Sequence, residues 1–279
     1  EDTNISSNTE VDVKTLNLNN NALTLGSESS DISVTDNLTF DNSEEKIITG
    51  NSDLTLKGGL IIQNGGILST GGTISFEKEV LHSGGTIDLT NSKMVVGDDF
   101  VKTAGDLVTS SDGTILELMK NISFTSDAPI AIKTLNLNDK SLTLGSETSD
   151  LSISASVTIN NSDEKILTED ADLELNELFS ISQGTIESSG GTIAFNGGID
   201  QNSGGQIKIE NSSFKLSSHL NNSNGTLITS GSTIIAQSDL NLSSDTEVSV
   251  KNFEIGENSI YLLSDTSDLK INEAFTIEN

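Results

Sequence analysis

Apolar residues along this chain come mostly in pairs split by one polar residue: Leu16/Leu18, Leu23/Leu25, Ile32/Val34, Leu38/Phe40, Leu54/Leu56, Ile74/Phe76, Ile87/Leu89 and Met94/Val96. Single apolar positions at Ile47, Ile61, Ile67 and Val80 continue the series. Alternation over two or three residues puts the apolar side chains on one face of a very short strand. The residue between them is meant for water, and the outward positions read Asn17, Thr24, Ser33, Thr39, Thr55 and Asp88. No stretch carries the i, i+3, i+4, i+7 spacing of a useful helix. Between the pairs lie turn formers, among them Asn19-Asn20-Asn21, Gly58-Gly59, Gly65-Gly66, Gly71-Gly72 and Gly84-Gly85. Glycine and asparagine adopt φ > 0 at little cost, so each cluster can turn a corner. Pairs recur roughly every 6–9 residues, so three strands complete a circuit of roughly 20 residues. The pattern predicts an all-β chain folded as a single-stranded parallel β-solenoid, three-sided, with a right-handed coil favoured.

A longer period lies over the short one. The stretch KTLNLNNNALTLGSESSDISV, Lys14 to Val34, returns as KTLNLNDKSLTLGSETSDLSI, Lys133 to Ile153, a spacing of 119 residues with 15 of 21 positions identical. About six coils of roughly 20 residues fill that spacing, so equivalent residues should fall on the same side of the coil. Residues 1–279 are therefore expected to form one continuous solenoid. Its internal repeats run approximately over 14–132 and 133–250, with the start of a third at 251–279, where NTEVDVK (Asn8 to Lys14) reappears as DTEVSVK (Asp245 to Lys251). Leu18 and Leu137 are expected to point inward. Neither terminal segment reads as a polar cap, so a piece of a longer array is expected.

Charge narrows the partners. There are 14 Lys+Arg, every one of them Lys, against 42 Asp+Glu, for a net charge of −28. Phosphates need cationic partners, so nucleic acid and anionic membrane surfaces are not expected. No cysteine is present, which removes disulfides, thiolate metal sites and a cysteine nucleophile. No run of about 18 apolar residues suits a membrane-spanning helix, so no membrane insertion is expected. The first residues, EDTNISSNTEVDV, carry no basic and apolar leader.

The phrases SGGTIDLTNS (Ser83 to Ser92), SGGQIKIENS (Ser203 to Ser212) and GTLITSGSTI (Gly225 to Ile234) make the chain resemble, over essentially its whole length, the passenger regions of bacterial autotransporters and filamentous-haemagglutinin-like surface adhesins. That resemblance implies a right-handed β-helix, secreted, mostly non-enzymatic, used for attachment or as a stalk. No membrane barrel or secretion domain accompanies it in this sequence.

Candidate chemistry is sparse. His82 and His219 sit in Ser-, Asn- or Gly-rich surroundings without a nucleophile context, and both read as exposed turn residues. Calcium is the better ligand candidate, with Asp41, Glu44 and Glu45 aligning with Asp163 and Glu164, and Glu169, Asp170 and Asp172 close behind. None of these fits a calcium-binding loop motif, and solvated acidic turns are the favoured reading. A β-helix polysaccharide lyase would need a convergent, asymmetric groove, and an ice-binding face would need one repeated residue type. The expected function is a non-catalytic, extracellular structural or adhesive segment of a long bacterial surface protein, without cofactor. It would meet surface glycans or proteins, with end-to-end self-association into a filament as the alternative.

Overall fold

A computed structural model describes residues 1–277 of the chain. Among the described residues there is no helix; strands of three to nine residues follow one another throughout. They stack in parallel on strands about 20 residues away, giving roughly 14 turns of β-solenoid in all. The chain divides into two compact units, Glu1–Lys140 and Ser141–Asn279, each built as follows.

In the first unit one side of the coil is an uninterrupted ladder. Ile32/Val34 lie on Val11/Val13, and Leu54/Leu56 on Ile32/Val34; Ile74/Phe76, Met94/Val96 and Leu116/Leu118 continue the column. A second side stacks Leu23, Ile47, Ile67, Ile87 and Leu107. The third stacks Leu38/Phe40 under Leu60/Ile62, then Val80/His82, then Phe100/Lys102. In two coils the second and third sides run together as single strands, Val80–Asp88 and Phe100–Val108. The pairing of these two strands shifts register at His82/Ser83 and again before Thr86.

The second unit, in which two sides run together in the strands Val248–Ile255 and Leu269–Ile277, also has three columns. One carries Leu151/Ile153, Leu173/Leu175, Ile193/Phe195, Phe214/Leu216 and Ile234/Ala236. The others carry Leu142, Ile166, Ile186, Ile207 and Leu227, and Val157/Ile159, Phe179/Ile181, Ile199/Gln201, Leu220/Asn222 and Leu242/Ser244.

Alternation makes this work. With side chains pointing to opposite faces, every second residue of a three- or four-residue strand enters the coil. Strand burial accordingly alternates, as at Ala22–Leu25 and Gln206–Ile209. A fully buried Leu, Ile or Phe contributes roughly 1.5–3 kcal/mol, and each coil adds several. Phe179, Phe195 and Phe214 form a chain of rings with centroids 5.2 and 5.6 Å apart. Corners use left-handed residues where they are needed. Asn19 and Asn20 have φ of 50° and 62°, and their counterparts Asn138 and Asp139 have 53° and 61°. The repeat therefore copies a two-residue left-handed turn, which asparagine and aspartate accept better than other non-glycine residues.

Three positions depart from the pattern. Ile61 is not an inward residue: Leu60 and Ile62 fill the core, and Ile61 lies outside between them, beside exposed Leu81. In a run of three apolar residues the alternation cannot say which pair enters. Ser33 faces outward yet is buried. It lies in the ladder between Asp12 and Thr55, and the Lys57–Asp12 ion pair, 3.5 Å, spans the coil that holds it. Leu137 is buried as expected, whereas Leu18, in the first coil of the unit, is only half-buried.

Candidate functional site

The acidic residues have mostly structural partners. Glu45 is 7% exposed, and its Oε2 accepts backbone N–H groups of Asp41 (3.1 Å) and Asn42 (3.4 Å) while its Oε1 accepts that of Asn20 (3.3 Å). Glu164 does the same with Asn160 and Asn161, at 2.9 and 3.2 Å. A carboxylate holding several backbone donors ties the corner shut. Asp172 accepts the Thr192 N–H at 2.6 Å and its own N–H goes to Asp150 at 2.8 Å. Asp31, Asp53 and Thr73 repeat this staple in the first unit, at 2.9 and 2.6 Å. The remaining candidates are scattered. Asp41, Glu44, Asp163, Glu169 and Asp170 are exposed at corners, Glu169 with φ of 50°. Among the described residues no group of three or more His, Asp or Glu side chains is placed to hold a metal ion.

The two histidines correct the sequence reading. His82 is not an exposed turn residue: it is 1% exposed, inside the strand Val80–Asp88. Three residues, Val80, Leu81 and His82, alternate in-out-in, so the ring enters the core above Ile62. Lys102 stacks directly on it in the next coil, 4% exposed. The Lys102 ammonium donates to the Asp127 carboxylate, which sits at the surface two coils along from His82. His82 Nε2 lies 3.4 Å from the Gly85 carbonyl oxygen, and its Nδ1 has no partner. Burial holds the His82 imidazole below its usual pKa, and the Lys102 charge adds to that. The Lys102 hydrogen bond holds the Asp127 carboxyl below its usual value. His219 begins the strand His219–Asn222, half-buried, with Nε2 3.3 Å from the Asp200 carboxylate.

The second unit has the same inward position, filled differently. Ile181, Gln201, Asn222 and Ser244 stack where the first unit has Ile62, His82 and Lys102. Gln201 Nε2 donates to the carbonyls of Gly205 (3.1 Å) and Thr226 (2.7 Å). Asn222 Oδ1 accepts the Gly225 N–H at 2.8 Å, and its Nδ2 reaches the Ser244 and Thr246 hydroxyls at 3.2 and 3.0 Å. In both units the core thus turns polar beside the Ser-Gly-Gly corners. His82, Gln201 and Asn222 reach backbone groups of the corner, whereas Lys102 pairs with the Asp127 carboxylate. The signal was in the sequence, as V-x-H, F-x-K, I-x-Q and L-x-N in successive coils, but polar residues at the second apolar position of a pair do not announce themselves.

An open groove of about 690 Å³ lies on the outer face of the second unit. Lys165, Gln183, Thr185, Glu187, Gln206 and Lys208 line it together with Gly184 and Gly204. Parallel pairing puts Thr185 beside Lys165 and Gln206, and Glu187 beside Leu167 and Lys208. A Lys208–Glu187 contact of 3.9 Å crosses the floor. The surface is therefore a mixed row of donors and acceptors around a short apolar step.

The chain matches no protein-family model, no curated protein and no solved structure at a significant level.

Proposed function

We propose that this chain is a non-catalytic, extracellular β-solenoid segment of a bacterial surface protein, serving as a stalk and as an attachment surface. The observation that carries the reading is a set of side-chain staples repeated in both units, aspartates tying one coil to the next and glutamates closing a corner. Asp31, Asp53, Asp150, Asp172, Glu45 and Glu164 all accept backbone N–H groups in equivalent places of the two units. A solenoid in which each coil contacts only its neighbours lengthens by duplication without redesign, which suits a spacer. Acidic, hydroxyl- and amide-rich outer faces keep such a spacer soluble. The groove of the second unit supplies the attachment site. Its amides, hydroxyls and lysines can hydrogen-bond the hydroxyls of a neutral or acidic glycan.

The test is a panel of immobilised glycans probed with the whole chain and with the Lys165→Ala/Lys208→Ala variant. Retention of at least one glycan by the parent and its loss in the variant is the expected outcome. Binding unaffected by the variant removes the groove from the account, and no binding leaves only the stalk. Depolymerisation of any glycan during incubation contradicts the non-catalytic reading.

A further inference from the structure

We propose that the buried rung His82–Lys102–Asp127 is an acid-triggered release point of the first unit: a proton on His82 puts two cations in one dry rung and opens the corners beside it. The second unit, with Gln201, Asn222 and Ser244 in the matching places, stays closed.

Geometry carries this. His82 and Lys102 are consecutive members of one inward column, paired in register, and both are more than nine-tenths buried. Adjacent strands lie about 4.8 Å apart, so a charged imidazole would share one buried column with the Lys102 side chain. The charged groups facing His82 are Lys102 from the coil above and Asp127 from the corner after it; from the coil below, its ladder partner is the apolar Ile62. Asp127 already serves Lys102 and is 41% exposed, so it cannot neutralise a second buried cation well. Asp106 joins Lys102 around a small cavity of about 160 Å³, lined also by Ser126 and Pro129. The Nδ1 atom of His82, buried without a partner, leaves the neutral ring weakly held.

The same place is built to open. Pairing between the strands Val80–Asp88 and Phe100–Val108 breaks register at Ser83 and again before Thr86, so the ladder is interrupted at the rung's own corner. Gly105, with φ of 83°, packs against the His82 ring. Local opening is cheapest where ladder bonds are fewest. Burial also holds His82 below its ordinary pKa, so the neutral ring prevails until the medium is distinctly acid.

The experiment is native-state amide hydrogen exchange on the whole chain at about pH 7 and about pH 5, the range in which histidine titrates, expressed as protection factors. Amides of 80–88 and 100–108 should lose about tenfold or more in protection, because the unfolded or opened strand binds the proton that the closed rung refuses. Those of 199–201, 206–209 and 219–222 should change less than about twofold, within the same linkage. Equal change in both units, or none in either, overturns the proposal. His82→Gln, which copies the second unit, should abolish the loss. Should that variant fail to fold, Lys102→Asn removes the second cation instead and should shrink it. A loss that persists in the folded variant also overturns the proposal.

Discussion

Replacing Phe195 by Ala removes the middle ring of the second unit's aromatic chain. Phe195 is 0% exposed, stacked over Leu175 and under Leu216, with Phe179 and Phe214 on either side of its ring. Truncating a buried Phe costs about 3–5 kcal/mol, depending on how far the site collapses. Collapse is restricted here, because the neighbours are fixed by ladders above and below. Each lost ring pair is worth about 0.5–1.5 kcal/mol beyond its buried area, which places the expected cost at the upper end of that range. Phe275 is the control: it lies in register with Phe253 but is 52% exposed, and its truncation should cost below about 1.5 kcal/mol, little more than its one ring pair. Urea unfolding followed by circular dichroism measures both, with cooperativity checked by the slope. A cost below about 2 kcal/mol for Phe195→Ala, outside the range for a buried Phe, or equal costs for the two variants, would refute the inward assignment and the continuity of the column.

Other outcomes follow from the same geometry. Glu164→Ala strands the N–H groups of Asn160 and Asn161 and should cost about 2–3 kcal/mol by urea unfolding, since hydrogen bonds to a charged group are the strong ones. Because Glu45 and Glu164 are spent on backbone donors, a chelator or added calcium should leave the melting midpoint unchanged; a calcium-dependent rise would restore a metal role to the acidic corners. Gly66→Ala should destabilise by about 2 kcal/mol or more, because φ is +146° there and a Cβ would overlap the Thr86 carbonyl; an unchanged midpoint would contradict this corner. Acid should weaken the first unit in two steps. His82 and Asp127 both have lowered pKa values in the fold, so the unfolded chain binds more protons and stability rises with pH. The His82 contribution is complete above its ordinary pKa of 6.5 and is lost as pH falls through its lowered value. That of Asp127 is complete above 3.8 and is lost below it. A pH–stability profile flat between about 7 and 5, where histidine titrates, would contradict the first step.

The fold was legible because its signal is additive. L-x-L pairs such as Leu54/Leu56 and turn clusters such as Gly71-Gly72 recur along the chain, so errors at single positions do not disturb the period. Where the pattern meets three apolar residues in a row, at Leu60-Ile61-Ile62, it has no means of choosing a face, and Ile61 reads as inward although Leu60 and Ile62 fill the core. His82 is hard to place for the opposite reason. A polar residue next to Ser-Gly-Gly looks like part of the turn, and only the stacking of Val80 on Leu60 shows that the strand runs two residues further. The acidic corners illustrate a different limit. Sequence spacing brought Glu45 and Glu164 together as equivalents, correctly, but a carboxylate that accepts N–H groups and one that binds a cation look alike in one dimension. Neither the Lys102–Asp127 pair nor the groove around Lys208 had any local motif, because both are assembled from residues about one coil apart.

The central claim is that the chain works outside the cell as a surface stalk and attachment segment. Limited proteolysis of intact cells that produce it, with the released peptides identified by mass spectrometry, tests this most directly. Corners such as Glu77-Lys78-Glu79, with Lys78 exposed, and Asn138-Asp139-Lys140, with Asn138 and Asp139 exposed and Lys140 half-buried, offer sites after lysine. Release of peptides ending at Lys78 and Lys140 from unbroken cells, with cytoplasmic markers retained, is the predicted result. Appearance of those peptides only after lysis would contradict it.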